Sequence, residues 1–227
     1  MEKTCGVLYA VATPIGNLGD MTMRAIETLK TVDLIVCEDT RVTVKLLRHY
    51  EINTKTVSYH QHTTDDKAQR IIDEIIEGKN VAVVTDAGTP GISDPGNKLV
   101  ALAVENGIRV EPIPGPSALG AIVSVAGIDL QKFLFLAYPP HKKGRQTFFH
   151  QVIASDVPVI YYDSVHRVIK NLHLLQELSE EEPHVIVGRE LTKMHEEIVR
   201  GAVAEVLAYF AEHPDKVRGE FVVIVCK

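Results

Sequence analysis

Short apolar runs that do not alternate with polar residues recur along this sequence, and stretches of helical periodicity lie between them. Val7-Leu8-Tyr9-Ala10-Val11, Leu34-Ile35-Val36-Cys37 and Val81-Ala82-Val83-Val84 are continuous in apolar character, as strands are when helices cover both faces of their sheet. Between them, residues 21–32 space Met23, Ile26 and Leu29 along one helical face, and residues 68–76 do the same with Ile71, Ile72, Ile75 and Ile76. Residues 44–50 and 99–104 read as further helices, and 56–58 and 109–111 as further strands. Strands and helices in strict succession predict a buried, mostly parallel sheet, which makes the first half an open α/β domain.

Pro112, Pro114 and Pro116, with Gly115 among them, form a stiff stretch that cannot continue a central strand. The expected division is therefore an N-terminal domain over 1–114 and a C-terminal domain over 115–227. Ser117 can cap a helix over 118–125. Strands are expected over 133–137, 157–161, 185–187 and 221–225, with helices over 146–153, 165–178 and 202–210. The last two strands are separated by residues 194–201, which alternate imperfectly, so the second sheet is expected to be mixed rather than parallel.

Composition narrows the function classes. With 45% hydrophobic and 24% charged residues in 227, the chain has enough apolar material for packed cores. Its longest apolar run, 221–226, is far shorter than the roughly 20 residues of a membrane span, and its N-terminus lacks a basic flank before a long apolar stretch. A cytoplasmic, soluble protein without a membrane partner is expected. Cys5, Cys37 and Cys226 cannot all pair and none lies in a CxxC spacing, so each reads as a small buried strand residue. No H-E-x-x-H occurs among the ten histidines, and no metal is expected. A net charge of −6 excludes a general nucleic-acid coat protein.

Ligands of open α/β sheets sit beyond the carboxyl ends of the strands, and the loops there are unusual. Thr13-Pro-Ile-Gly-Asn-Leu-Gly-Asp20 puts two glycines between strand and helix without the spacing of a dinucleotide fingerprint or a phosphate-binding P-loop. It is either a tight turn or a place where a ligand approaches the backbone. Glu38-Asp39-Thr40-Arg41 puts adjacent carboxylates at a strand end, where they could cap a helix or supply a base. Thr85-Asp-Ala-Gly-Thr-Pro-Gly-Ile-Ser-Asp-Pro-Gly96 holds three glycines and two prolines in twelve residues. Such a loop is bare of side chains and offers main-chain N–H and C=O groups to a partner. Pro114-Gly-Pro-Ser-Ala118 reads both as an interdomain hinge and as a loop that could carry chemistry, Tyr161 to Arg167 and Gly188 to Glu197 follow later strands, and Lys142, Lys143 and Arg145 gather beside Tyr138 in a basic loop.

Taken in order, T-P-I-G-N-L-G-D (13–20), C-E-D-T-R (37–41), S-Y-H-x-H (58–62), D-A-G-T-P-x-I-S-D-P-G (86–96), P-G-P-S-A (114–118), Y-x-S-x-H-R (162–167) and R-E-L-T-K-x-H-E-E-x-x-R-G (189–201) resemble the ribosomal RNA small subunit methyltransferase I family. That family lies within the tetrapyrrole methylase superfamily of S-adenosylmethionine enzymes. The resemblance runs along essentially the whole chain, and it implies two α/β domains of tetrapyrrole-methylase type enclosing S-adenosyl-L-methionine. The activity implied is 2′-O-methylation of a cytidine ribose in small-subunit ribosomal RNA, with that RNA as partner and a homodimer as assembly. The implied cofactor contacts are Pro14, Asp86, Ala87, Gly88, Thr89, Ser117, Ala118, Tyr162 and Leu191. The implied base is Asp39, with His60 second, although Arg41 would weaken Asp39 by lowering its pKa. Arg41, Lys142, Lys143, Arg145, Arg189, Glu190 and Lys193 are the expected substrate contacts, and the scheme needs no metal. Family members are expected to continue beyond the second domain with a short extension, whereas this sequence stops at Lys227, directly after its last predicted strand. The competing readings are a related methyltransferase acting on a tetrapyrrole or a protein, and a non-catalytic nucleotide-binding adaptor on the ribosome.

Overall fold

In a computed structural model describing residues 5–60, 63–93 and 97–226, the chain divides into two compact units, the first ending at Ser117 and the second beginning at Ala118. The ends of the S-Y-H-x-H motif and of the glycine-proline loop, residues 61–62 and 94–96, lie outside the described residues.

The first unit contains strands β1 (Val7–Val11), β2 (Leu34–Cys37), β3 (Thr56–Ser58), β4 (Val81–Val84) and β5 (Arg109–Ile113), and helices α1 (Met23–Thr31), α2 (Thr40–His49), α3 (Asp65–Ile76) and α4 (Asn97–Glu105). All five strands are parallel, in the order β3-β2-β4-β1-β5. Because side chains of a strand alternate between faces, each continuous run serves two cores. On one face Leu34, Val36, Val81 and Val83 meet Ile71, Ile72 and Ile75 of α3 and Leu99 and Ala103 of α4. On the other, Ile35, Cys37, Ala82 and Val84 meet Ala25 and Leu29 of α1 and Leu47 of α2. Right-handed crossovers account for this division. The path from β1 through β2 to β3 runs one way along the sheet and leaves α1 and α2 on one face. The return through β4 to β5 leaves α3 and α4 on the other.

That reversal positions the site. The loops leaving β1 and β2 turn to one face of the sheet, whereas the loop leaving β4, which lies between them, turns to the opposite face. At such a switch point the loops diverge and open a crevice at the carboxyl ends of the strands.

The second unit contains α5 (Ala118–Val125), β6 (Leu134–Phe135), α6 (Arg145–Ala154), β7 (Val159–Ser164), α7 (Val168–Leu178), β8 (His184–Arg189), β9 (Glu197–Ala202), α8 (Val203–Glu212) and β10 (Glu220–Cys226). Its sheet has the order β6-β7-β10-β8-β9. The β6–β7 pair is parallel and the remaining pairs are antiparallel, which is the mixed sheet expected. One face packs Tyr161, Val187, Phe221 and Val223 against Phe149 of α6, Leu172 of α7 and Phe210 of α8. At the other face Ile122 of α5 approaches the bare backbone of Gly188.

The cysteine reading holds for Cys37 alone. Cys37 is buried, Cys226 is half-buried and Cys5 is exposed. Cys5 precedes β1 and so lies before the first covered strand position. Among the described residues no helix is long and apolar enough to cross a membrane.

Candidate active site

In the first unit the crevice is tied together across its middle. Thr13, just past β1, and Gly88, just past β4, exchange two main-chain hydrogen bonds, Thr13 N–H to Gly88 O at 2.9 Å and Gly88 N–H to Thr13 O at 3.0 Å. The buried Thr13 hydroxyl also donates to Thr85 O at 3.1 Å. A threonine suits this position because its small side chain supplies the donor that a buried carbonyl needs. Gly88 has φ of 83°, and a Cβ there would lie 3.3 Å from Ile15, so glycine meets both the left-handed backbone and the close approach. The Thr89 hydroxyl donates to Pro116 O at 3.0 Å, joining the β4 loop to the stretch after β5. Beyond these ties Asp86 and Ala87 are exposed and Pro14 is half-buried. Main chain and short side chains thus line the carboxyl ends of β1 and β4.

The carboxylates after β2 divide into two environments. Asp39 is the N-cap of α2, its Oδ1 accepting the Arg41 N–H at 2.8 Å. The Arg41 guanidinium closes on the same carboxylate, Nη2 to Oδ2 at 2.7 Å and Nε to Oδ1 at 3.0 Å. These bonds from Arg41 hold the Asp39 carboxyl down to about 2. The Asp39 main-chain N–H donates to Asp86 Oδ1 at 3.0 Å, which bridges the β2 and β4 loops. Glu38, half-buried one residue earlier, has no ion pair or hydrogen bond among the described residues. Burial, followed by the nearby Asp86, raises its pKa, with exposed His60 opposing the shift. In the sequence Glu38 stands within the C-E-D-T-R motif, unmarked beside Asp39. The available signal was the adjacency of two carboxylates of which only one can cap the helix.

In the second unit the R-E-L-T-K-x-H-E-E segment folds on itself. Arg189 ends β8 and is 7% exposed. Its guanidinium donates to Lys216 O at 2.9 Å and His195 O at 3.2 Å, with Nε 3.5 Å from Glu197 Oε2, an ionic contact without a hydrogen bond. Lys216 Nζ donates to the other Glu197 oxygen at 2.6 Å, and Tyr209 also bonds that oxygen. Glu190 and Lys193 pair at 2.8 Å, and Glu190 Oε1 accepts the Glu220 N–H. Among the expected substrate contacts, Arg189 therefore spends its donors on the β8–β9 and α8–β10 connections, and Glu190 and Lys193 pair with each other and with Glu220 of β10. Glu190 and Thr192 both have positive φ, 49° and 66°, a conformation costly for a β-branched residue. Between them, the buried Leu191 is set against Gly188.

Tyr162, on β7, is buried and meets Phe135 and Tyr138 edge-on. Ala118 starts α5, and Lys142 and Lys143 are exposed with Arg145 at the start of α6. Arg167, which sequence reading placed only in a motif frame, donates to Pro139 O at 2.9 Å and anchors the basic loop. Among the described residues no group of three potential metal ligands occurs.

The fold and these loops are those of a known enzyme class. A family model described as Tetrapyrrole (Corrin/Porphyrin) Methylases matches residues 7–207. Solved structures of similar fold include a cobalamin biosynthetic enzyme, cobalt precorrin-4 methyltransferase, at TM-score 0.69 and 18% identity, covering 96% of this chain and 94% of that one. A diphthine synthase aligns at TM-score 0.75 and 12% identity, covering 98% and 90%. At such identities the likeness concerns the fold alone. Curated relatives are much nearer in sequence. Ribosomal RNA small subunit methyltransferase I of Synechocystis sp. is 46% identical over 97% of this chain and 78% of its own length. The protein of that name from Escherichia coli O157:H7 is 43% identical over 99% and 79%. The chain belongs to the tetrapyrrole methylases and, within them, to the ribosomal RNA small subunit methyltransferase I family.

Methyltransferases of this family use S-adenosylmethionine, and the first unit fits such a ligand. An adenosine and an amino-acid moiety need main-chain donors and acceptors with few intruding side chains. Thr13 to Ile15 and Asp86 to Thr89 offer that surface, with a side chain at Gly88 disfavoured by its φ of 83° and crowded by Ile15.

Proposed function

We propose that this chain transfers a methyl group from S-adenosylmethionine to the 2′-hydroxyl of a cytidine in small-subunit ribosomal RNA. One observation carries the reading: the near-full-length likeness to proteins named ribosomal RNA small subunit methyltransferase I. Five of the seven motifs follow the strands of the first sheet at their carboxyl ends, which supports a ligand site there.

S-Adenosylmethionine, when bound, supplies an electrophilic methyl group. The residues proposed to hold it are Pro14, Asp86, Ala87, Gly88, Thr89 and Ser117, to which the family resemblance adds Ala118, Tyr162 and Leu191. The chain's own task is to align the ribose oxygen and accept its proton. Orientation of bound reactants can supply on the order of 7–11 kcal/mol, and a base typically adds about 10²–10⁴-fold.

Asp39, already committed to Arg41, holds the start of α2 and the Asp86 bridge in this reading. Glu38 takes the proton, with His60 beside it, because neighbouring carboxyls in different environments divide such roles between them. Lys142, Lys143 and Arg145 face phosphates, which set register while the pocket selects the ribose; Arg41 keeps no free fork for this purpose. The family resemblance further supports a homodimer working in the cytoplasm.

The deciding experiment supplies labelled S-adenosylmethionine with either small ribosomal subunits lacking the modification or a tetrapyrrole mixture. Label is expected on a cytidine ribose within a single turnover. Label in the tetrapyrroles alone, or donor binding with no transfer to either, overturns the reading.

A further inference from the structure

From Leu130 to Ser155 the sequence contains Lys132, Lys142, Lys143 and Arg145 and no acidic residue, in a chain whose net charge is −6. The structure sets an exposed aromatic ring into this cationic stretch. After β6 the backbone turns through Ala137, whose φ is 53°. The turn is pinned by Leu136 N–H to Ile160 O at 3.0 Å and by Tyr162 N–H to Ala137 O at 2.7 Å. It presents Tyr138 at 48% exposure. Beneath it lies a ladder of rings, Tyr138 meeting Tyr162 at 5.4 Å between centroids and Tyr162 meeting Phe135 at 5.0 Å. Arg167 bonds the carbonyl of Pro139 at 2.9 Å and fixes the residue that follows Tyr138.

A rigidly backed, half-exposed ring in a loop rich in cations and free of acids suits one class of ligand. Unpaired nucleotides offer a flat base to an aromatic ring and phosphates to lysine and arginine. Duplex RNA keeps its bases stacked on one another and offers phosphates only.

We propose that Tyr138 is a stacking platform for an unpaired base of the RNA substrate, with Lys142, Lys143 and Arg145 holding the phosphates beside it. The proposal rests on the reading that the substrate is RNA. It adds a base contact that the phosphate-facing loop alone would not make.

The chain has no tryptophan, so Tyr138→Trp introduces a single reporter at the proposed contact. Titration of this variant with a mixed-sequence single-stranded oligoribonucleotide is expected to quench its emission saturably, and a duplex of the same composition is expected to quench it far less. In steady-state methylation of small ribosomal subunits, Tyr138→Ala is expected to raise KM on the order of tenfold, within the range that loss of one base–aromatic stack produces. The turnover number should stay unchanged, and Tyr138→Phe, which keeps a ring against Tyr162, should restore KM. Unchanged KM in Tyr138→Ala, or equal quenching by single strand and duplex, overturns the proposal. If instead the wild-type protein fails to methylate the subunits at all, the substrate reading falls before the platform is tested.

Discussion

The Arg41 guanidinium grips the Asp39 carboxylate in a fork, Nη2 to Oδ2 at 2.7 Å and Nε to Oδ1 at 3.0 Å, while the Arg41 main-chain N–H donates to the same Oδ1 at 2.8 Å. One residue thereby supplies both the cap bond and the counter-charge. Hydrogen bonds to the ionised form lower a carboxyl's pKa, and here it reaches about 2. Because the folded value lies below the ordinary one, the stabilisation is present above the usual carboxylate range and is lost as pH falls through about 2. A carboxyl-carbon NMR titration should therefore find Asp39 still ionised well below the midpoints of the other aspartates. Arg41→Ala should move its midpoint up toward the ordinary 3.8. A wild-type midpoint already at the ordinary value would show that the fork does not persist in solution.

The same fork separates the two acids of this loop by role. A carboxylate held near 2 binds a proton too weakly to be an effective acceptor near neutrality, whereas Glu38 has its pKa raised, by burial first and then by Asp86. Glu38→Gln should cut the single-turnover methylation rate by about 10²-fold or more and remove the limb of the pH profile on which rate rises with pH. Asp39→Asn should keep that limb and lose less rate, since an asparagine still caps a helix. The reverse ranking would return the proton to Asp39.

Arg189 gives a contrast in which the family motif marks architecture. At 7% exposure, with two carbonyls and Glu197 around it, its removal leaves two carbonyls without their donor, while Glu197 keeps Lys216. Losing hydrogen bonds from a charged donor in this way costs on the order of 1–3 kcal/mol, and Arg189→Ala should lower the melting temperature accordingly. At a temperature where the variant stays folded, KM for the RNA should change little. A large rise in KM with an unchanged melting point would make Arg189 a substrate contact after all.

These cases show what could be read from the residue order and what could not. β1, β2 and β4 fall on the predicted runs because both faces of the sheet are covered, so no polar position interrupts the pattern. β5 extends through Pro112 to Ile113 because it pairs with β1 alone, and an edge tolerates a residue without an N–H. α2 begins at Thr40, earlier than the apolar spacing indicates, since Asp39 rather than an apolar residue sets its start. β7 runs on to Ser164 because Asp163, a polar residue that would normally end a buried strand, is satisfied there by Asn171 at 2.7 Å. Glycine and proline marked the candidate loops, as their backbone demands are local. The burial of Arg189 was hidden because its partner Lys216 lies 27 residues away.

Gly188 offers a test of the proposal that Leu191 helps to hold the donor. A Cβ at this position of β8 would lie 2.6 Å from Ile122 Cδ1 and 3.1 Å from Leu191 Cδ2. Ile122 is fully buried and Leu191 nearly so, so Gly188→Ala must push one of them aside, and such overpacking costs typically 1–3 kcal/mol. Leu191 is flanked by Glu190 and Thr192, both already at positive φ, so a shift of Leu191 falls on a segment whose backbone is already strained. Calorimetry should find weaker binding of S-adenosylmethionine in Gly188→Ala together with a lower melting temperature. Gly107→Ala supplies the control. Its φ of 69° makes a side chain strained, yet nothing lies within 4 Å of its Cβ, so it should lose about 1–2 kcal/mol of stability with donor affinity intact. Equal donor affinity in the two variants would mean that Leu191 serves packing alone.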